Sequence, residues 1–338
     1  MPQKRILYVG NRLSVHGKSP TSADIIPGLL SAEGFDVEVV SSKLNKAARL
    51  YHMVWTVHRL RNQIDFVLID TYSTASFYYA VLVAGLCRRY QLKYIPVLHG
   101  GNLPERLKKS PRRSQKLFGK AFMNVAPSGF IFNAFKKNGF QNVELIPNFI
   151  PMENYPFKER NDFSFKLLWV RSFSSEYHPE LALEIVEDLM KQGKPVSLTM
   201  VGPEKDGTLE KCKKIALEKN LPVTFTGVLP KEDWISLSRD FDFFINTTGK
   251  DNMPVSVIEA MALGLPVIST DVGGLPFLIE TKKTGMLVPE GDASAFVNEI
   301  SRLVENREEA MSIAKHARKK VEAFDWQKVK DLWHSLLQ

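Results

Sequence analysis

The chain of 338 residues has only two cysteines, Cys87 and Cys212, far apart in sequence. So few exclude a disulfide framework or a cysteine-built zinc site and fit a reducing compartment. No stretch approaches the roughly 18 consecutive apolar residues of a membrane-spanning helix. The longest apolar run, Phe77 to Cys87, is broken by small and aromatic residues and closes on Arg88 and Arg89. The first residues, MPQKRILYVG, start basic but carry only a strand's length of apolar side chains, which is not a secretory signal. Fixed-period repeats and low-complexity tracts are also lacking. A cytoplasmic protein is expected.

Acidic residues are scarce in the first half. Residues 1–150 hold 8 Asp/Glu against 21 Lys/Arg, whereas residues 151–338 hold 29 against 24. An asymmetry of this size concerns partners rather than fold. Its densest part is 106–120, RLKKSPRRSQKLFGK, which has no acidic residue. That segment reads either as a solvated surface loop or as an attractor for an anionic surface. Single-strand binding interleaves cations with aromatics, and here only Phe118 qualifies. Nucleic acid is therefore not expected as a partner. An anionic membrane surface fits the basic half better, with peripheral association on the cytoplasmic face.

What is present is an alternation of strand-like apolar runs with helical patterns, the signature of parallel sheets covered by helices. The first half has runs at 5–9, 37–40, 66–69, 94–98, 124–126 and 143–146. The second half has them at 166–170, 197–201, 223–226, 241–245, 266–269 and 285–288. Helical patterns such as 22–33 and 74–89 fall between them. Two comparable sets in series predict two doubly wound α/β domains, joined through the proline-containing segment 147–162. Phe324, Trp326, Val329, Leu332, Trp333 and Leu336 recur at helical spacing and predict a packed C-terminal helix. Ligands of such sheets bind beyond the carboxyl ends of the strands, so an active site is expected in the cleft between the domains.

The most informative segment is NTTGKDNMPVSVIEAMALGLPVISTDVGG, residues 246–274. It leaves a strand, crosses a polar loop and enters a helix near Pro254, where a missing N–H costs nothing. The free N–H groups of Val255 and Ser256 would then favour an anion at the helix start, and a diphosphate suits that place. Glu259 lies one turn on, among Val, Ile, Ala, Met and Leu. A carboxylate there needs hydrogen-bond partners, which ribose hydroxyls would provide.

This stretch resembles the donor-site signature of family 4 glycosyltransferases: two acidic residues separated by seven others, then EAMA, a small residue, GLPVI and later GG. Asp251 and Glu259 take the acidic positions. The resemblance implies the GT-B fold, with two Rossmann-like domains facing across a cleft. It further implies transfer of a sugar from a UDP- or GDP-linked donor with retention of configuration. An N-terminal acceptor-side domain would cover 1–152 and a donor-binding domain 153–321, with helix 322–338 packing back onto the first. The acceptor would be a glycan or lipid-linked molecule in polysaccharide or glycolipid synthesis. No cofactor and no metal are expected.

Further segments extend the resemblance. LLWVRSF places Arg171 as the diphosphate-binding guanidinium, a permanently charged, two-pronged donor. The family Lys that follows is replaced by Glu176, Tyr177 and His178, leaving Lys250 as a candidate second cation. TMVGP places Gly202 beside the donor, and FTGVLPKEDW places the backbone of Val228 and Leu229 at the nucleobase. The backbone of Asn252, Met253, Pro254 and Val255 would hold the sugar and its phosphates. GNRLSVHGKSPT makes Gly17 the glycine that approaches the diphosphate. VLHGGN makes His99 the residue that orients the donor sugar, and IPNFI places Asn148 before the domain crossover. In the implied mechanism, Arg171 and the helix start stabilise the leaving diphosphate. The acceptor hydroxyl attacks from the leaving-group side. Asp240 and Asp242 form an Asp-x-Asp spacing that binds metal in a different glycosyltransferase fold. Here they read as one face of a strand start.

Two other readings are compatible with this architecture. A nucleotide-sugar epimerase or hydrolase would consume donor without acceptor. A non-catalytic module would use only the basic half.

Overall fold

A computed structural model describes residues 3–16 and 21–338. The chain divides into two compact units, Met1–Pro147 with Gln327–Gln338 and Asn148–Trp326. Each is built on its own six-stranded, fully parallel sheet.

The strands of the first unit are β1 (Arg5–Val9), β2 (Asp36–Val40), β3 (Phe66–Thr71), β4 (Lys93–Leu98), β5 (Asn124–Ala126) and β6 (Val143–Leu145). Their order is β2-β1-β3-β4-β5-β6. Every residue of β3 is buried, as expected of a central parallel strand covered on both faces. Strand order reverses between β1 and β3, so the carboxyl ends of these two strands open the crevice where ligands of such sheets bind. Helix Trp326–Leu337 buries Val329, Trp333, Leu336 and Leu337 but leaves Leu332 partly exposed. Its Lys330 pairs with Glu33 at 3.2 Å, and the His334 ring lies 5.1 Å from that of Phe35. The basic segment, read either as a solvated surface loop or as an attractor for an anionic surface, forms helices Leu103–Lys109 and Pro111–Phe118. Prolines at both helix starts set the backbone, and Leu107, Leu117 and Phe118 are buried.

In the second unit the strands are β7 (Lys166–Val170), β8 (Ser197–Val201), β9 (Val223–Gly227), β10 (Phe243–Asn246), β11 (Val267–Thr270) and β12 (Met286–Val288). The order β12-β11-β10-β7-β8-β9 is that of a dinucleotide-binding sheet, with its switch point between β7 and β10. The segment expected as a linker is packed structure. Ile150 bridges Asp325, and Tyr155 is buried. The buried Arg160 guanidinium donates to the carbonyls of Ser238, Phe241, Leu263 and Gly264 at 2.8–3.1 Å. Burial lowers the Arg160 pKa to about 10.

One strand start differs from expectation. Asp240 ends a short 3-10 turn, Ser238–Asp240, and β10 begins only at Phe243. The two aspartates therefore share no strand face. Asp242 instead accepts from the Ser164 amide (2.9 Å) and hydroxyl (2.6 Å). Among the described residues there is no cluster of three or more His, Cys, Asp or Glu able to hold a metal. Among them, too, no helix is long and apolar enough to cross a membrane.

Candidate active site

The second unit concentrates its polar groups at the β7/β10 switch point. Arg171 follows β7 directly, and Asp251 lies in the loop after β10. Their guanidinium and carboxylate form an ion pair. The two side chains are 13% and 14% exposed, so the pair stands in little water and is weakly screened. Arg171 also stacks on Tyr177, 4.0 Å from the ring centroid. Its Nε is buried and has no hydrogen-bond partner among the described residues. Burial pushes the Tyr177 hydroxyl above its usual pKa. Its ring is also approached at 5.8 Å by the ammonium of Lys205, which belongs to the loop after β8.

The loop between β10 and helix Val255–Ala262 is held on all sides by hydrogen bonds. Trp169 Nε1 donates to Thr247 Oγ1 at 3.0 Å, and that hydroxyl donates to the Tyr177 carbonyl at 2.9 Å. Thr270 Oγ1 donates to the Thr248 carbonyl at 2.6 Å, and Asn148 Nδ2 donates to the Met253 carbonyl at 2.7 Å. Gly273 and Gly274 let another loop press onto this one. A Cβ on Gly274 would lie 1.6 Å from the Asn252 oxygen, and one on Gly273 would lie 2.1 Å from the Asp251 oxygen. No other residue type fits at either position.

Pro254 caps the helix with extended backbone, and helical geometry begins at Val255. The Ser256 hydroxyl near the helix start is buried without a hydrogen-bond partner among the described residues. Glu259, 3% exposed, is not left to a ligand alone. Its Oε1 accepts from Tyr155 Oη at 2.7 Å and from Lys231 Nζ at 2.6 Å. Burial and then the Glu259 charge push the Tyr155 hydroxyl well above its normal range. Lys231 opens helix Lys231–Leu237, just past Val228 and Leu229. Val228 is 66% exposed, whereas Leu229 packs against the core. Gly202 supports the same region: its N–H donates to the Gly227 carbonyl at 2.8 Å, and a Cβ would strike the Arg171 oxygen at 1.7 Å.

The first unit gathers a separate group at its own switch point. Asp70, in β3, accepts from Tyr8 Oη (2.6 Å) and from His99 Nε2 (2.8 Å), both on Oδ1. His99 follows β4. Its backbone N–H donates to the Thr71 carbonyl at 3.0 Å, and its ring lies 5.3 Å from that of Tyr72. Gly100 allows this approach, since a Cβ there would meet the Ser73 nitrogen at 2.8 Å.

The family model for glycosyl transferases group 1 matches residues 152–320, the unit that carries Arg171, Asp251 and Glu259. The chain belongs to the group 1 glycosyl transferases. Among curated relatives, the sulfoquinovosyl transferase SQD2 of Arabidopsis thaliana is 31% identical over 152 residues, covering 44% of this chain and 29% of that protein. The amylovoran biosynthesis glycosyltransferase AmsK of Erwinia amylovora is 32% identical over 158 residues, covering 42% and 36%. The matches thus span well under half the length of these relatives. Solved structures agree over the whole chain. HepE from Anabaena, in complex with UDP and glucose, superposes with a TM-score of 0.78 at 17% identity over 99% of both chains. Sucrose-phosphate synthase from Thermosynechococcus elongatus gives 0.81 at 16% identity, again over 99% of both. At such identities the likeness is one of fold: two parallel α/β units of GT-B type.

Within this group 1 glycosyl transferase, the expected site residues fall as follows. Arg171, Asp251, Asn252, Met253, Pro254, Val255 and Glu259 belong to one frame at the β7/β10 switch point, with Gly202 beneath it. Lys250 is exposed, and the ammonium at the Tyr177 ring belongs to Lys205 instead. Gly17 lies outside the described residues. Tyr155, Lys231 and Asp70 were not anticipated. For Asp70 a signal existed: an acidic residue closing the apolar run FVLID.

Proposed function

We propose that this protein is a retaining, metal-independent glycosyltransferase that moves a hexosyl unit from a UDP- or GDP-sugar to a glycan or lipid-linked acceptor. The observation that carries the reading is the buried Glu259 one turn into a helix whose start adjoins the loop of Asp251, which is paired to Arg171. In this reading Glu259 takes the ribose hydroxyls. Arg171, the amides of Val255 and Ser256 and the Ser256 hydroxyl take the diphosphate. Asp251 binds sugar hydroxyls, and His99 orients the sugar. Charge on the leaving diphosphate is met by groups fixed before the reaction, which is where catalysis of this type gains most. No cofactor beyond the donor is required.

The test is donor turnover with purified protein, with and without candidate acceptors. Sugar transfer that needs an acceptor and is lost in Glu259→Ala and Arg171→Ala supports the reading. Donor consumption at full rate without any acceptor would replace it with an epimerase or hydrolase.

Membrane-surface association is part of the same proposal. Lys108, Lys109, Arg112, Arg113, Lys116 and Lys120 are exposed, and Arg113 lies over the ring of Tyr78, itself 43% exposed. Cations beside exposed aromatics complement an anionic leaflet, where a lipid-linked acceptor would lie. Binding to phosphatidylglycerol vesicles that fades in high salt supports this. Equal binding to zwitterionic vesicles would overturn it.

A further inference from the structure

A buried carboxylate with no Lys or Arg beside it is costly unless its oxygens are satisfied. Asp70 is such a group: its side chain is 2% exposed, and among the described residues its only ion-pair partner is His99. Tyr8 and His99 both converge on Oδ1, while Oδ2 is buried without a partner among the described residues. Gly10 is packed so closely that a Cβ there would sit 2.4 Å from Oδ2.

This arrangement dictates the state of the histidine ring. An ionised carboxylate only accepts hydrogen bonds, so the nitrogen facing it must carry the proton, and that nitrogen is Nε2. The free ring nitrogen is then Nδ1, whose nearest polar neighbour is the Ser22 hydroxyl at a loose 3.4 Å. The ring lies 5.3 Å from that of Tyr72, and the His99 backbone N–H is anchored to the Thr71 carbonyl at 3.0 Å. The cluster stands at the carboxyl ends of neighbouring strands, beside the sheet's switch point, where open α/β sheets bind ligands.

We propose that Asp70 is a positioning residue that holds His99 as the Nε2–H tautomer and leaves Nδ1 to accept a hydrogen bond from a hydroxyl of the bound sugar, with Tyr8 steadying the carboxylate. This assignment rests on the glycosyltransferase reading, but its geometry is testable apart from it. Asp70→Asn is isosteric. Its amide can donate to Nε2 and so stabilise the opposite tautomer, in which Nδ1 bears the proton and cannot accept. Losing one well-placed hydrogen bond to the sugar is worth on the order of tenfold.

The experiment uses the full chain labelled with 15N-histidine, at a pH well above the ordinary imidazole range. His99 is identified by its absence in His99→Gln. Wild type is expected to show a protonated Nε2 and an Nδ1 lone pair, and Asp70→Asn the reverse. With the donor sugar that supports turnover, Asp70→Asn should lower kcat roughly tenfold. Tyr8→Phe is the milder variant, expected to keep the tautomer and lose less activity. A wild-type ring protonated on Nδ1, or wild-type kcat in Asp70→Asn, would overturn the assignment. If wild type transfers no sugar from any donor, the functional reading falls, and the tautomer measurement still decides whether Asp70 sets the ring.

Discussion

Arg171 and Asp251 hold one another at the β7/β10 switch point, each largely buried. In the proposed reaction both are needed elsewhere, the guanidinium by phosphate and the carboxylate by sugar. Their mutual pairing therefore competes with the donor. Asp251→Asn should release Arg171 and tighten binding of UDP or GDP alone several-fold, while slowing transfer. Titration calorimetry with the bare nucleotide checks this. Weaker nucleotide binding in Asp251→Asn would mean that the carboxylate helps to form the phosphate site instead of blocking it.

Glu259 makes a second testable pairing. Its bond to Tyr155 ties the helix Val255–Ala262 to segment 148–160. Removing one partner of a buried carboxylate leaves desolvation uncompensated. Tyr155→Phe should thus cost about 1–3 kcal/mol of stability, read as a lower urea midpoint with unchanged slope. Lys231 still reaches Glu259 in that variant, so the loss should be smaller than for Tyr155→Phe combined with Lys231→Met. Equal midpoints for the single and double variants would exclude a shared network.

The fold was legible in the residues because parallel strands covered on both faces read as unbroken apolar runs. All twelve appear within two residues of where those runs lie. The frame carrying Glu259 was legible for a different reason: its determinants are contiguous in sequence. Gly273 and Gly274 are required by backbone contacts to Asp251 and Asn252 only some twenty residues away. What stayed hidden comes from other elements. Tyr155 reaches Glu259 across 104 residues, and Lys231 across 28. Lys205 reaches Tyr177 only because the loops after β7 and β8 are laced together, with Asp206 accepting from the Ser175 amide at 2.9 Å. Periodicity carries no record of such meetings. In the basic segment the charges mask the helical spacing of the buried Leu107, Leu117 and Phe118, so its helices were not legible.

Backbone contact at the paired glycines gives a sharper prediction than any side-chain truncation. In Gly274→Ala the new methyl group must displace the Asn252 carbonyl, which is backbone and cannot swing aside. The loop bearing Asp251 should shift, at a cost of roughly 1–3 kcal/mol from overpacking. Nucleotide should then raise the melting temperature less than it does in wild type. Gly28, inside helix Ser22–Ala32 with nothing within 4 Å of its would-be Cβ, is the control: Gly28→Ala should stabilise by about 0.5–1 kcal/mol and leave the nucleotide-induced rise in melting temperature unchanged.

The two cysteines supply a prediction with a defined pH window. Cys87 and Cys212 are free and buried, and burial raises both thiols to about 12. The thiolate is the reactive form, so native protein should resist a thiol reagent that modifies the urea-unfolded chain at once. The linkage sign follows from the same shift. Below the ordinary thiol pKa of about 8.5, both thiols are protonated whether the chain is folded or not, and their contribution to stability is constant. Between there and about 12 the unfolded chain releases protons that the folded chain keeps. The folded state then binds more protons, so stability falls as pH rises. Urea midpoints measured from pH 8 upward should decline faster in wild type than in Cys87→Ala/Cys212→Ala. Parallel declines would show that the buried thiols contribute nothing to alkaline unfolding.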